Sequence, residues 1–134
     1  MYYKAVMFGD QEAAARVLQA ETPWEAKSVG REVRGFDEGE WAAVRRAVVV
    51  RGNVAKFMDN EAAREYLLLT AGKVLVEASP TDVVWGVGLT ELDPRVAEPA
   101  QWRGENLLGF SLMEVRQIVS SHPPERLAST LLFC

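Results

Sequence analysis

A single cysteine, Cys134, and a single histidine, His122, are all the thiol and imidazole chemistry in this chain of 134 residues. One cysteine excludes an internal disulfide, and its place at the last position makes it a poor nucleophile; a reducing cytoplasm is the expected compartment. A lone histidine followed by Pro123 and Pro124 has no partners at ligand spacing, so no metal and no cofactor are expected. Neither the dinucleotide fingerprint nor the P-loop pattern occurs, which removes the two commonest phosphate-cradling loops. No apolar run reaches membrane-spanning length and MYYKAVMFGDQ is too short in apolar residues for a signal peptide, so no membrane partner is expected. Positive charge is not in excess either. A net charge of −4 and a pI near 5.1 argue against holding nucleic acid through long-range phosphate attraction, although a local basic patch survives that average.

What remains is the composition of an ordinary globule, 49% hydrophobic and 25% charged, without repeats or low-complexity stretches. Its length predicts one domain, residues 1–134. Helical signals dominate. QEAAARVLQA from Gln11 to Ala20 has high helix propensity, with Asp10 placed to cap it and Pro23 placed beyond its end. Trp24 opens a second short helix. Asp37 precedes a third, with Trp41, Val44, Val48, Ala55 and Met58 near helical spacing, although Val48 to Val50 also suit a strand and Gly52 weakens the middle. Glu61 to Thr70 predicts a fourth helix ending at Gly72, and Asn106 to Val119 the last long one. Between them Val74, Leu75 and Val76 read as a strand ending at Ser79 and Pro80, while the acid- and proline-rich stretch from Thr90 to Gln101 reads as irregular. The expected fold class is therefore α+β, a mostly helical single domain with a small β element. The final ERLASTLLFC reads as a docked helical turn, since its leucines would otherwise be exposed.

Three stretches carry candidate chemistry. Glu77 to Gly88, EASPTDVVWGVG, sets Glu77 and Asp82 beside Trp85, with Gly86 and Gly88 allowing backbone to come close to a ligand. One residue at a time these are a strand-end surface acid, a helix cap and a core aromatic; together, a carboxylate beside an aromatic wall suits a cationic transition state. Lys27 and Arg31 stand four apart and project from one face of the helix opened by Trp24, where they fit a diphosphate; the alternative is a solvated face paired with Glu25 and Glu32. Lys56 is either helix surface or substrate-facing, with Phe57 as core. Asn106 reads as a cap of backbone amides and Gly109 as a point of close packing.

The segments KAVMFGD, AKSVGREV, FDEGEWAAVR, KFMDN, LLLTAGKVLVEASPTDVVWGVG and WRGENLLGFSLMEVR, in this order from Tyr3 to about Arg116, resemble the NADAR family. Residues 121–134 form a tail outside the resemblance. The resemblance implies a NADAR-like fold and hydrolysis of N-glycosidic bonds: some members remove ADP-ribose from guanine, others cleave early riboflavin-pathway intermediates. It also implies a preceding segment of about forty residues, with an aromatic loop and early strands, and so a chain that begins inside the family's first helix. Without such strands an apolar edge would be exposed, and self-association into a homo-oligomer is expected.

Breaking a ribosyl-nitrogen bond requires stabilising positive charge on the sugar, protonating the departing base, and placing water or an amine at the anomeric carbon. The expected catalytic residues are Glu77 or Asp82 for the first need and Lys27 for the second or third, as proton donor or as Schiff-base amine. Trp24, Gly30, Arg31, Lys56, Trp85 and Gly86 are the expected substrate-binding residues, and the AKSVGR segment coincides with a motif lining the family's pocket. The expected partner is an ADP-ribosyl or ribosyl-phosphate compound, free or as an ADP-ribosylated DNA base. A catalytically impaired module that binds ADP-ribose is the rival reading.

Overall fold

The computed structural model describes residues 1–122. Its described elements are α1 (Tyr2–Met7), α2 (Gln11–Gln19), α3 (Pro23–Arg31), α4 (Glu38–Asp59), α5 (Glu61–Leu69) and α6 (Leu107–Ser121), with 3₁₀ turns at Pro94–Ala97 and Pro99–Gln101. No described residue lies in a strand. Among the described residues the fold is therefore all-helical, and the expected α+β class is overturned. Val74 to Val76 pairs with no strand among the described residues; the Asn106 side chain takes the Leu75 carbonyl and the Glu77 amide in place of a neighbouring backbone. The turn expected in ERLASTLLFC, and Cys134, lie outside the described residues.

The chain divides into two compact units, Met1–Val48 and the part from Val49 onward, with the division falling inside α4. In the first, α1, α2 and α3 pack on one another around Ala5, Ala13, Ala14, Val29 and Val33, with Phe8 and Val17 against them. Alanines let the helices approach closely but bury little apolar area, so this unit relies on polar ties as well. Asp10 is the main one. Its carboxylate caps α2 by accepting from the Ala13 amide at 3.0 Å, as the sequence predicts. It also accepts from the Arg34 amide at 2.9 Å and from Arg34 Nε and a terminal guanidinium nitrogen at 3.2 and 2.8 Å. The cap was legible locally; its partner, on a turn beyond α3, was not.

In the second unit Val50, Leu67, Val115 and Val119 form the core, with Val54, Phe57, Met58, Leu68, Leu75 and Ile118 packed on it. The α4 face that packs is thus Val50, Val54, Phe57 and Met58, whereas Ala55 is exposed. Helix continues through Val48 to Val50 and through Gly52, so packing outweighs the glycine penalty of about 1 kcal/mol. Asn60 caps α5 through the Ala63 amide at 3.0 Å. The far end of α5 is closed by Arg116, which donates to the carbonyl of Thr70 at 2.5 Å and to that of Lys73 at 3.0 Å.

Arg34, hydrogen-bonded to Asp10, holds the carboxyl well below the usual carboxylate range. A carboxyl whose folded pKa is depressed adds stability above its unfolded value of about 4, and that stability is lost as pH falls toward the folded value. Urea midpoints should therefore fall below about pH 4. Asp10→Asn should lower the midpoint at pH 7 and flatten this acid dependence; equal midpoints for both proteins at neutral pH would refute the tie's importance.

Candidate functional site

The predicted site residues fall into two groups, one in each unit, and the second unit also carries Lys56 on α4. In the second unit, the segment from Glu77 to Val87 folds back on itself and onto the start of α6. The Val87 amide donates to the Glu77 carbonyl at 3.0 Å, closing the loop. The amides of Glu105, Asn106, Leu107 and Leu108 donate to the carbonyls of Val83, Gly86, Val84 and Trp85 at 2.9–3.1 Å. Backbone amides at a helix start normally seek a capping side chain or an anion. Here loop carbonyls occupy them, so this helix end offers no phosphate cradle.

Asn106 secures the arrangement. It is wholly buried, lies in the left-handed region at φ 51, and makes no side-chain cap, which corrects the capping role read from sequence. Its Oδ1 accepts from the Glu77 amide at 3.0 Å and its Nδ2 donates to the Leu75 carbonyl at 2.9 Å. One amide side chain thereby serves the extended segment as an adjacent strand would. Gly109 allows it, because a Cβ there would collide with the Leu75 carbonyl. Gly86 is equally confined: a Cβ would stand 2.8 Å from the carbonyl oxygens of both Asp82 and Glu77. Gly104, which sequence reading passed over, would collide with the Gly86 carbonyl. Glycines in a conventional fingerprint spacing would have signalled this packing; these are scattered.

The two carboxylates have different surroundings. Asp82 Oδ1 accepts from the amides of Val84 at 3.1 Å and Trp85 at 2.7 Å, so it fixes the turn that bears Trp85. Glu77 is half-buried and its backbone is held on both sides, yet its carboxylate meets no donor or cation among the described residues. Trp85 is half-buried beside them in sequence. Lys56 is exposed, its Nζ 5.4 Å from the Phe57 ring centroid.

In the first unit, Thr22 and Glu25 form a capping box that starts α3 with Pro23 in its first turn. Trp24, Lys27 and Arg31 recur at helical spacing on its exposed side, Trp24 at 75% exposure. The acids expected to pair with the cations are engaged elsewhere: Glu25 accepts from the amides of Glu21 and Thr22, and Glu32 pairs with Arg16 at 2.9 Å. Neither Lys27 nor Arg31 has an ionic or hydrogen-bonded partner among the described residues. Gly30 is buried, and the space over it is filled by the Met1 side chain.

Among the described residues no group of histidine, cysteine and carboxylate side chains is placed to hold a metal, and no helix is long and apolar enough to cross a membrane. What the geometry presents is a cationic, aromatic helix face in the first unit and, in the second, a carboxylate on a fixed backbone with no partner among the described residues.

The sequence profile of the NADAR domain matches residues 1–120, and the chain belongs to that family. Protein irg-1 of Caenorhabditis elegans is 40% identical over 119 residues, 87% of this chain and 56% of that protein. N-glycosidase R617 of Acanthamoeba polyphaga mimivirus is 37% identical over 117 residues, 87% of this chain and 69% of the relative. N-glycosidase Npun_R5314 of Nostoc punctiforme is 36% identical over 119 residues, with the same two shares, 87% and 69%. This chain thus spans 56% to 69% of the length of these relatives.

The lock on Glu77 makes a specific demand on Asn106. Asn106→Ala should destabilise the fold by about 1–3 kcal/mol for the stranded polar groups. A further ~1 kcal/mol comes from placing alanine in the left-handed region. Asn106→Gly keeps that conformation and loses only the bonds, so urea denaturation should rank it between the wild type and Asn106→Ala. A glycine variant as stable as the wild type would show that the amide bridge contributes nothing.

Proposed function

We propose that this chain is an N-glycosidase that hydrolyses the bond between a ribose and a base. The substrate is ADP-ribosylated guanine, free or in DNA, or a ribosylaminopyrimidine phosphate of riboflavin synthesis. The observation that carries the reading is the Glu77 carboxylate, partnerless among the described residues on a backbone fixed from two directions. Family membership and the names of two relatives support it.

Cleavage of a ribosyl-nitrogen bond passes through a sugar that carries positive charge. A fixed anion stabilises that charge without reorganising during the reaction, and such preorganised partners are typically worth about 10²- to 10³-fold in rate. Glu77 takes this role, since its backbone is fixed and its carboxylate is engaged by no other group among the described residues. Asp82 is the lesser candidate because its Oδ1 is already shared by two amides. The cations divide the remaining work. Arg31 offers a planar fork to phosphate oxygens, while Lys27 protonates the departing base or attacks the opened sugar as an amine. Trp24 in the first unit and Trp85 in the second each offer a ring for stacking, and the exposed Lys56 is a further candidate to bind substrate.

Purified protein should release ADP-ribose from an ADP-ribosylated guanine oligonucleotide, or ribose phosphate from the aminopyrimidine riboside. Glu77→Gln should lower kcat by about 10²-fold or more, whereas Asp82→Asn, which keeps the capping oxygen, should have a smaller effect. Lys27→Ala should abolish turnover with ADP-ribose affinity kept within about tenfold. A folded protein that binds ADP-ribose and turns over neither substrate would leave the binding-module reading in its place.

A further inference from the structure

Lys4 is the one lysine of the first unit that is drawn into the protein by contacts on two sides. It rises from α1, and its Nζ donates to the carbonyl of Gly30 at 2.7 Å. The same Nζ lies 3.7 Å from the centroid of the Phe36 ring, which in turn meets Phe8 edge-on at 5.3 Å. Burial pulls its ammonium below the usual lysine range, with Glu38 opposing that shift.

The acceptor is the informative half of this contact. Gly30 sits in the last turn of α3, where carbonyls have no amide of their own helix to accept from, and where the helix dipole places negative charge. A cation there satisfies both demands. A basic residue of the helix's own last turn can serve these carbonyls, yet Arg31, which occupies that position, does not donate to them. The cation comes from another helix instead, and Arg31 is left available. Gly30 and Arg31 share a peptide bond, so whatever fixes the Gly30 carbonyl fixes the direction in which Arg31 leaves the helix.

We infer that Lys4 is a positioning residue: by capping the Gly30 carbonyl it holds the final turn of α3 and releases Arg31 to bind the phosphate of the substrate. The role rests on the proposed reading of Arg31, but the mechanical part of it stands independently. Lys27 lies a turn earlier, where the intrahelical bonds of α3 hold it. Loss of Lys4 therefore misplaces the binding cation more than the chemical one, and the signature is a rise in KM at nearly constant kcat. Misplacing a substrate-positioning group by ~1 Å can cost up to about 10²-fold, so an effect of about tenfold is the scale expected.

The experiment compares the full chain with Lys4→Met and Lys4→Arg, measuring steady-state kinetics on the ADP-ribosylated guanine oligonucleotide and amide hydrogen exchange along α3. Lys4→Met keeps the apolar stem against Phe36 and removes the donor. It should raise KM about tenfold with kcat within about threefold, and speed exchange at Arg31 and Glu32. Lys4→Arg, which restores a donor and a cation over the ring, should recover both. Wild-type KM and unchanged exchange in Lys4→Met would overturn the inference while leaving the N-glycosidase reading intact. If wild-type protein turns over no substrate, the N-glycosidase reading falls. Exchange then decides alone: faster exchange in Lys4→Met rescued by Lys4→Arg upholds the cap, and no change refutes it. Should Lys4→Met fail to fold, Lys4→Leu, which likewise has no donor for the Gly30 carbonyl, takes its place, with the same expectations read from KM and exchange.

Discussion

The side-chain amide of Asn106 is the interaction on which the second unit depends. It joins segments separated by 29 and 31 positions in the chain, accepting from Glu77 and donating to Leu75 while wholly buried. Its left-handed backbone costs about 1 kcal/mol, which asparagine bears better than most residues. Two buried hydrogen bonds, each worth about 1 kcal/mol net, offset that cost, and the larger effect is that neither backbone group is left unsatisfied. From Asn106 the geometry propagates in both directions. Its own amide donates to Gly86, and those of Leu107 and Leu108 to Val84 and Trp85, so α6 begins only where the loop is already in place. The first residues of a helix and the loop bearing two candidate carboxylates are thus one cooperative object.

Side-chain volume enforces this closeness. At Gly86, Gly104 and Gly109 any Cβ would strike a carbonyl oxygen of the facing backbone. Such contacts leave no room for adjustment, because a backbone carbonyl already in a hydrogen bond cannot move away without losing it. Close backbone packing also explains how Glu77 can be half-buried without a partner for its carboxylate. Its main chain is held from both sides, so the side chain is not needed for stability.

The same structure shows why some of it was legible in sequence and some was not. Local chemistry announced α2 through its alanine content and Asp10, whereas the caps of α5 by Asn60 and of α3 by the Thr22 and Glu25 pair emerge only in the structure. The β element failed for a physical reason. Val74 to Val76 has strand propensity, but a strand is defined by what pairs with it, and the partner here is a side chain from a distant helix start. Nothing local distinguishes an asparagine that caps its own helix from one that reaches back across the fold. Arg34 escaped for the same reason, since its tie to Asp10 spans 24 positions. Lys27, Glu77 and Trp85 are singled out in the sequence by residue type alone, whereas the different surroundings of the Glu77 and Asp82 carboxylates emerge only from the hydrogen bonds.

The availability of Lys27 and Arg31 has a structural origin too. A basic pair on a short helix ordinarily finds acids on neighbouring turns, and this helix carries two, Glu25 and Glu32. Both are taken by other duties, one in the capping box and one with Arg16. Among the last-turn carbonyls, a further local sink for positive charge, that of Gly30 is served by Lys4. An exposed ion pair is worth little, so no large stability gain follows from these pairings. Their consequence lies in where charge is left over: two cations and an exposed tryptophan share one helix face with no protein partner among the described residues. A face of that composition is suited to an anionic ligand with a flat ring, which is the chemistry shared by ADP-ribose and the nucleotide substrates proposed above.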